Sequence, residues 1–255
     1  MPLRIRRLVV VAALAGLSVA GCGGHKPPRA GRPDPGKFYQ RGLGHLHAGR
    51  PDLASVEFER TLALDPEDTL AMYALGLAYF GMRQFDRASL TVDKILVKDP
   101  YFGEAHSLRG LLYLEAKDRA RARAEFERVL ADKRYQTPHV AQHNIGRIAL
   151  EEGKLDQALE YLRAAAVAKP ENADYRYFHG LVLEQLRQFD LARKEFDAVI
   201  QTRPSDFQAL FHLGSVSLEL KELDRARQCF QRVQELAPNS PLSEQSSKQL
   251  KELGF

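Results

Sequence analysis

Six glycines recur along the chain at almost one spacing. Gly42, Gly76, Gly110, Gly146, Gly180 and Gly214 stand 34, 34, 36, 34 and 34 residues apart. Twelve residues beyond each lies an alanine: Ala54, Ala88, Ala122, Ala158, Ala192 and Ala226. Four residues further on lies a bulky apolar side chain: Phe58, Val92, Phe126, Leu162, Phe196 and Phe230. Every repeat but the third then closes on proline, at Pro66, Pro100, Pro170, Pro204 and Pro238. Whatever this chain folds into must use the same unit six times.

The column chemistry specifies the unit as two antiparallel helices. Glycine on the first helix and alanine on the second mark places where backbones approach closely and a large side chain has no room. The bulky residue one turn beyond the alanine fills the space between the helices and against the next unit. The closing proline cannot continue a helix and sets the turn into the next repeat. Asp52, Asp86, Asp156, Asp190 and Asp224 fall near the start of the second helices. Carboxylates suit the positive end of the helix dipole there.

This 34-residue pattern resembles the tetratricopeptide repeat family, whose signature runs W-x2-L-G-x2-Y…A-x3-F…P. The resemblance covers about residues 35 to 238. The glycine and alanine columns are complete. The tryptophan position departs throughout, holding Phe38, Met72, His106, Gln142, Arg176 and Leu210, and the tyrosine position is kept only by Tyr79 and Tyr113. The fold class expected is therefore all-α, a superhelical solenoid of six helix-turn-helix units over residues 36–240. Residues 241–255 are expected to add a C-terminal capping helix. Its segment Leu242 to Leu253 is polar, as the open end of a repeat stack requires, with an unbound tail as the alternative. The third repeat is irregular: two residues are inserted and its proline is displaced to Pro138. A tolerated loop insertion and a bend that meets a partner both fit.

The N-terminus reads differently. Arg4, Arg6 and Arg7 precede an apolar run from Leu8 to Ala20, shorter than the roughly 20 residues of a spanning helix. Residues 1–21 therefore read as a signal peptide. The junction Val19-Ala20-Gly21-Cys22 resembles the bacterial lipobox. That resemblance implies cleavage before Cys22 and acylation of Cys22 with two or three chains, enough for a stable anchor where a single chain is marginal. Gly23 rather than aspartate after the cysteine implies sorting to the outer membrane. Residues 22–35 are rich in proline and glycine with no apolar periodicity, and read as an extended tether. From Gly23 to Pro35 it reaches at most about 40 Å at about 3.3 Å per residue.

Charge and chemistry point away from several function classes. The chain carries 37 basic and 33 acidic side chains. Without the three signal-peptide arginines the count is 34 to 33, which gives no footprint for nucleic acid. Cys229 has no partner once Cys22 is acylated and reads as a small helix residue. His139 and His143 are four apart, but the segment His139-Val140-Ala141-Gln142-His143 lacks the glutamate of a zinc-protease helix. No nucleophile elbow, phosphate loop or paired-cysteine zinc pattern is present. We expect no catalytic residues, no metal and no cofactor: a binding protein rather than an enzyme.

In the tetratricopeptide family, fixed positions of the first helices line a concave groove. Carried over, the fifth position gives Tyr39, Tyr73, Ser107, His143, Tyr177 and Phe211. The ninth gives Leu43, Leu77, Leu111, Arg147, Leu181 and Ser215. The twelfth adds Leu46, Phe80, Leu114, Leu150, Glu184 and Leu218. The expected protein-binding groove is thus apolar and aromatic, centred on Tyr39, Leu43, Leu46, Tyr73, Leu77, Phe80, Leu111, Tyr177, Leu181 and Phe211. Such a ladder suits an amphipathic helix or an extended apolar segment. The alternative is a tightly wound stack whose first helices bury these side chains against each other. The lysine and asparagine clamp that some family members use for C-terminal carboxylates is not matched, Asn144 being its one fragment.

Lipobox, tether and six repeats together resemble the pilotin lipoproteins of type IV pilus systems, as does the stretch Tyr135-Gln136-Thr137-Pro138 through Asn144-Ile145-Gly146. That resemblance implies a periplasm-facing scaffold on the outer membrane that helps a secretin subunit localise and assemble. A different envelope adaptor, for instance one recruiting peptidoglycan enzymes, is the other reading.

Overall fold

The computed structural model describes residues 33–132 and 135–254. The signal peptide, Cys22, most of the tether, and Lys133 and Arg134 of the third-repeat insertion lie outside the described residues. The described chain is α-helical, with no strand among its elements. Helices α1 (Pro35–His47), α2 (Pro51–Leu64), α3 (Thr69–Gly81), α4 (Phe85–Lys98), α5 (Gly103–Glu115) and α6 (Arg119–Ala131) form the first three pairs. Helix α7 (Pro138–Glu151) is followed by α8 (Leu155–Ala168), α9 (Ala173–Gln185), α10 (Phe189–Thr202), α11 (Phe207–Glu219), α12 (Leu223–Leu236) and α13 (Pro241–Glu252). Two compact units divide the chain within α7, one ending at Ala141 and the other beginning at Gln142.

The turn inside each repeat explains why the helices pair. Residues 49, 83, 117, 153, 187 and 221 all take a left-handed backbone, and they share one repeat position. The residue after each donates its N–H to the carbonyl five back, as Arg50 does to His45 and Asp118 to Tyr113. The left-handed residue itself bonds three back, as Gly49 does to Leu46 and Lys117 to Leu114. This Schellman closure satisfies the last carbonyls of the first helix and reverses the chain at once. Glycine fills the position in the first and fourth repeats, where it carries no steric cost. Arginine or lysine fills the other four.

The first helices begin on a second column. Asp34 accepts from Gly36 N–H at 2.9 Å, Asp68 from Ala71 at 2.9 Å, Asn172 from Asp174 at 3.0 Å, Asp206 from Ala209 at 3.3 Å and Ser240 from Ser243 at 3.1 Å. Each of these side chains satisfies an otherwise orphaned helix-terminal donor. At the corresponding place before α5 stands Phe102, which makes no cap bond. The second helices start without a side-chain cap in all repeats but the third, yet carry Asp52, Asp86, Asp156, Asp190 and Asp224 in their first turns.

Packing within a pair turns on the glycine column. A methyl group placed on Gly110 would lie 2.7 Å from Phe126 Cε1, and on Gly42 2.5 Å from Phe58 Cε1. Gly180 and Gly214 meet Phe196 and Phe230 at 2.8 Å, and Gly146 meets Leu162 at 2.6 Å. So the glycine makes room for the bulky residue of the second helix rather than for the alanine. The alanines are themselves fully buried. The second repeat differs because Val92 is smaller: the nearest atom to Gly76 is Leu108 Cδ2 of the following repeat, at 3.0 Å.

A charged layer alternates along the second helices. Glu57, Glu125 and Glu195 occupy one position in the first, third and fifth repeats, where the others hold Thr91, Tyr161 and Cys229. Glu57 takes Arg41 at 2.9 Å and Arg60 at 2.7 Å. Glu125 accepts from His106 Nδ1–H at 2.6 Å, and His106 Nε2–H donates to the Pro100 carbonyl at 2.9 Å. Glu195 takes Arg176 at 2.9 Å and His179 at 3.3 Å. Each of these buried or half-buried carboxylates is held by at least one base from the first helix of the same pair, which compensates its desolvation. Cys229 is free and buried, and burial pushes its thiol up to about 11.

The third-repeat insertion folds inward. Tyr135 lies over Gly103, with its ring 2.7 Å from where a Cβ would stand. Burial raises its phenol above the ordinary range, opposed by hydrogen bonding with Thr137 and Ser107. Helix α13 ends the second unit in the place of a seventh first helix, starting 34 residues after α11. Leu250 packs with Ala226 and Phe230 of α12.

Candidate protein-binding surface

The residues expected to line a groove sit on α1, α3, α5, α9 and α11, and the structure buries most of them. Tyr39, Leu43, Leu46, Tyr73, Leu77, Phe80, Leu111 and Tyr177 each keep less than a tenth of their surface, with Tyr73 at 2% and Leu77 at 0%. Leu181 and Phe211 are half-buried. Each unit uses these side chains in its own packing. Tyr39 meets Phe58 at 5.8 Å between ring centroids, and Tyr73 meets Phe102 at 6.1 Å. Tyr177 touches Phe178, Phe196 and His212, and Phe211 touches Phe230. Burial raises the Tyr39 and Tyr73 phenols well above their ordinary value. Eight of the ten positions therefore serve the core, and a partner would meet chiefly the atoms around them.

Periodicity places a side chain on the face of a helix but does not say how closely the next helix approaches it. The enclosure of the expected groove positions was therefore not legible in the sequence. Loss of a fully buried leucine side chain costs about 2–5 kcal/mol, so charge at Leu77 would unfold the stack rather than test binding.

In the second unit the first-helix face is more open and more mixed. Arg147 of α7 is half-buried, and its guanidinium lies 4.7 Å from the Phe178 ring centroid. Its Nε is enclosed without a hydrogen-bond partner. His143, one turn earlier, stacks at 4.6 Å on Tyr175 and 5.2 Å from Phe178. Glu184 of α9 accepts from His212 Nδ1–H at 2.8 Å. Asp174 binds Arg203 through both oxygens, at 2.9 and 2.7 Å. Half-buried Leu150, Leu181, Phe211 and Leu218 complete the apolar part of this face.

The second helices of the first unit carry another apolar surface. Val56 and Leu90 share one repeat position and are 44% and 63% exposed; Val97 is 85% exposed, and Tyr101, in the turn after α4, 73%. A column at the spacing of Val56 and Leu90 was visible in the sequence, but in later repeats it reads Ala124, Glu160, Lys194 and Gln228 and loses its apolar character. Among the described residues no group of three or more His, Cys, Asp or Glu could hold a metal ion, and no helix is long and apolar enough to cross a membrane.

Two tetratricopeptide repeat models match the chain, one over residues 45–112 and one over 143–206 and 179–241. Together these stretches span more than half of it. No curated protein sequence matches. Among solved structures, Pseudomonas aeruginosa PilF is similar with a TM-score of 0.76 at 20% identity, over 84% of this chain and 97% of that one. PilW, described as a widely conserved type IV pilus biogenesis factor, is similar with a TM-score of 0.69 at 20% identity, over 83% and 97%. YrrB, a tetratricopeptide repeat protein with an unusual peptide-binding site, is similar with a TM-score of 0.60 at 20% identity, over 75% and 97%. At this identity the likenesses concern the fold, and they agree with the model matches. The chain belongs to the tetratricopeptide repeat family.

Proposed function

We propose that this chain is a lipid-anchored scaffold of the bacterial outer membrane, facing the periplasm, that holds a secretin subunit of a type IV pilus system and promotes its localisation and assembly. It works by binding and not by catalysis. The observation that carries the reading is the order of parts: a lipobox ending at Cys22, a short tether, and a repeat body whose fold covers nearly the whole of PilF and PilW. Family membership supports a protein as the ligand, since stacked repeats build the extended surfaces through which such proteins bind. Anchoring confines scaffold and partner to one surface, so that local concentration favours assembly over aggregation.

The test is a crosslinked pull-down from membranes of the native host, with the full lipidated protein tagged at its C-terminus. Recovery of a secretin, lost when the repeat body is left out, supports the reading. Recovery of peptidoglycan enzymes or other envelope machinery without secretin overturns it in favour of a different envelope adaptor.

A further inference from the structure

Arg147 breaks the chemistry of its column. The ninth position of the first helices is leucine in four repeats (Leu43, Leu77, Leu111 and Leu181) and serine in one, Ser215. Only the fourth repeat puts a cation there. A guanidinium carries five N–H donors and no acceptor, and removing it from water is unfavourable unless those donors are met. Here the guanidinium carbon lies 4.7 Å from the Phe178 ring centroid while Nε is enclosed without a hydrogen-bond partner. Burial pulls the guanidinium below its ordinary value, and Glu151 and Asp174 oppose this through space. Two carboxylates of the neighbouring first helix are already engaged elsewhere, Asp174 by Arg203 and Glu184 by His212. The fold thus spends burial on a cation that it does not pair directly.

Resting on the reading of this chain as a protein-binding scaffold, we propose that Arg147 receives the side-chain carboxylate of a glutamate or aspartate within an otherwise apolar segment of the partner protein. The segment lies along the first-helix face of the second unit. Charge complementarity selects the carboxylate, because a planar guanidinium offers a carboxylate two parallel hydrogen bonds. The half-buried Leu150, Leu181 and Phe211 select the apolar residues around it. Phe178 holds the guanidinium from one side through a cation–π contact. Arg147 lies inside α7 rather than at its end, with a full turn of helix on either side. This suits a carboxylate in mid-segment better than a chain terminus.

The experiment uses the folded chain from residue 22 onward, produced without its lipid, and a fluorophore-labelled peptide rich in leucine and alanine, blocked at both ends, with one central glutamate. Two control peptides replace that glutamate by glutamine, one blocked and one with a free C-terminal carboxylate. The glutamate peptide is expected to bind about ten-fold or more tightly than the blocked glutamine peptide, the range of one charge-assisted hydrogen bond. Arg147→Leu should abolish that preference and Arg147→Lys should keep part of it, neither lowering the thermal midpoint nor changing the glutamine-peptide affinity. Equal binding of the two blocked peptides overturns the inference while leaving the scaffold reading in place. Preference for the free-terminus peptide overturns it in favour of C-terminal capture. Absence of binding by all three peptides also overturns it, whereas the scaffold reading stands or falls on the membrane pull-down.

Discussion

Single residues set how closely the helices of a pair approach. Gly110 has Phe126 2.7 Å from the place of its missing Cβ, and Phe126 is fully buried. Gly110→Ala must therefore displace a packed ring, and overpacking of this kind costs about 1–3 kcal/mol. Gly76→Ala, whose methyl would come closest to Leu108 Cδ2 at 3.0 Å, should cost less, and urea denaturation of the two variants will rank them. Equal losses would mean that the glycine column is set by something other than the bulky second-helix residue. A titration effect belongs to this scale too. The hydrogen bond to Glu125 raises His106 above its ordinary 6.5 against the opposing effect of burial. Burial pushes Glu125 up, but the bond to His106 and the charge of Arg128 outweigh it and hold the carboxyl below its ordinary 4.5. A raised histidine stabilises the fold below its unfolded value and loses that contribution as pH rises through the folded one. A lowered carboxyl stabilises above its unfolded value and loses it as pH falls through the folded one. The pair is thus fully stabilising between about pH 4.5 and 6.5. Thermal midpoints should decline above that window, and His106→Gln should flatten the decline. A wild-type decline that persists unchanged in His106→Gln would assign it to another group.

At the scale of elements, the helix pairs and their order were legible because each column residue has a fixed job: glycine for space, bulky side chain for filling, proline for termination. The closing turns were only half legible. Gly49 and Gly153 signal a left-handed residue, but Arg83, Lys117, Arg187 and Lys221 hide the same backbone behind residue types that do not advertise it. The cap column stands in the sequence at Asp34, Asp68, Asn172, Asp206 and Ser240, but aspartate, asparagine and serine serve turns as readily as caps, so residue type alone does not separate the two. Helix α13 shows what a repeat needs at its open end. Its Leu250 covers Ala226 and Phe230, and its other side is exposed glutamine, glutamate and lysine. Ending the chain after Ser240 should uncover α12, lower the denaturation midpoint and increase binding of a hydrophobic dye. Leu250→Ala should reproduce part of the loss, about 2 kcal/mol. A truncated chain as stable as the whole would show that α12 closes the stack unaided.

For the whole molecule, sequence periodicity names the fold while the enclosure of its side chains decides what is left for a partner. Tyr73 and Leu77 read as ligand positions and are core; Arg147 read as one residue in a ladder and is the place where the ladder changes chemistry. Helix α1 takes its cap from Asp34, two residues before the N–H it satisfies. Anchoring and folding should then separate cleanly. Cys22→Ser should move the protein from the membrane fraction to the soluble periplasmic fraction, while the circular dichroism spectrum and melting curve of the purified body stay as they were. Mass spectrometry of the wild-type protein should find acyl chains on Cys22, because two or more chains hold a protein to a bilayer where one is marginal. Secretin recovery should fall with the anchor if surface confinement drives capture, and should persist if the repeat body binds strongly enough by itself. A wild-type protein found soluble and unacylated would remove the membrane from the proposal and leave a repeat scaffold that finds its partner by diffusion.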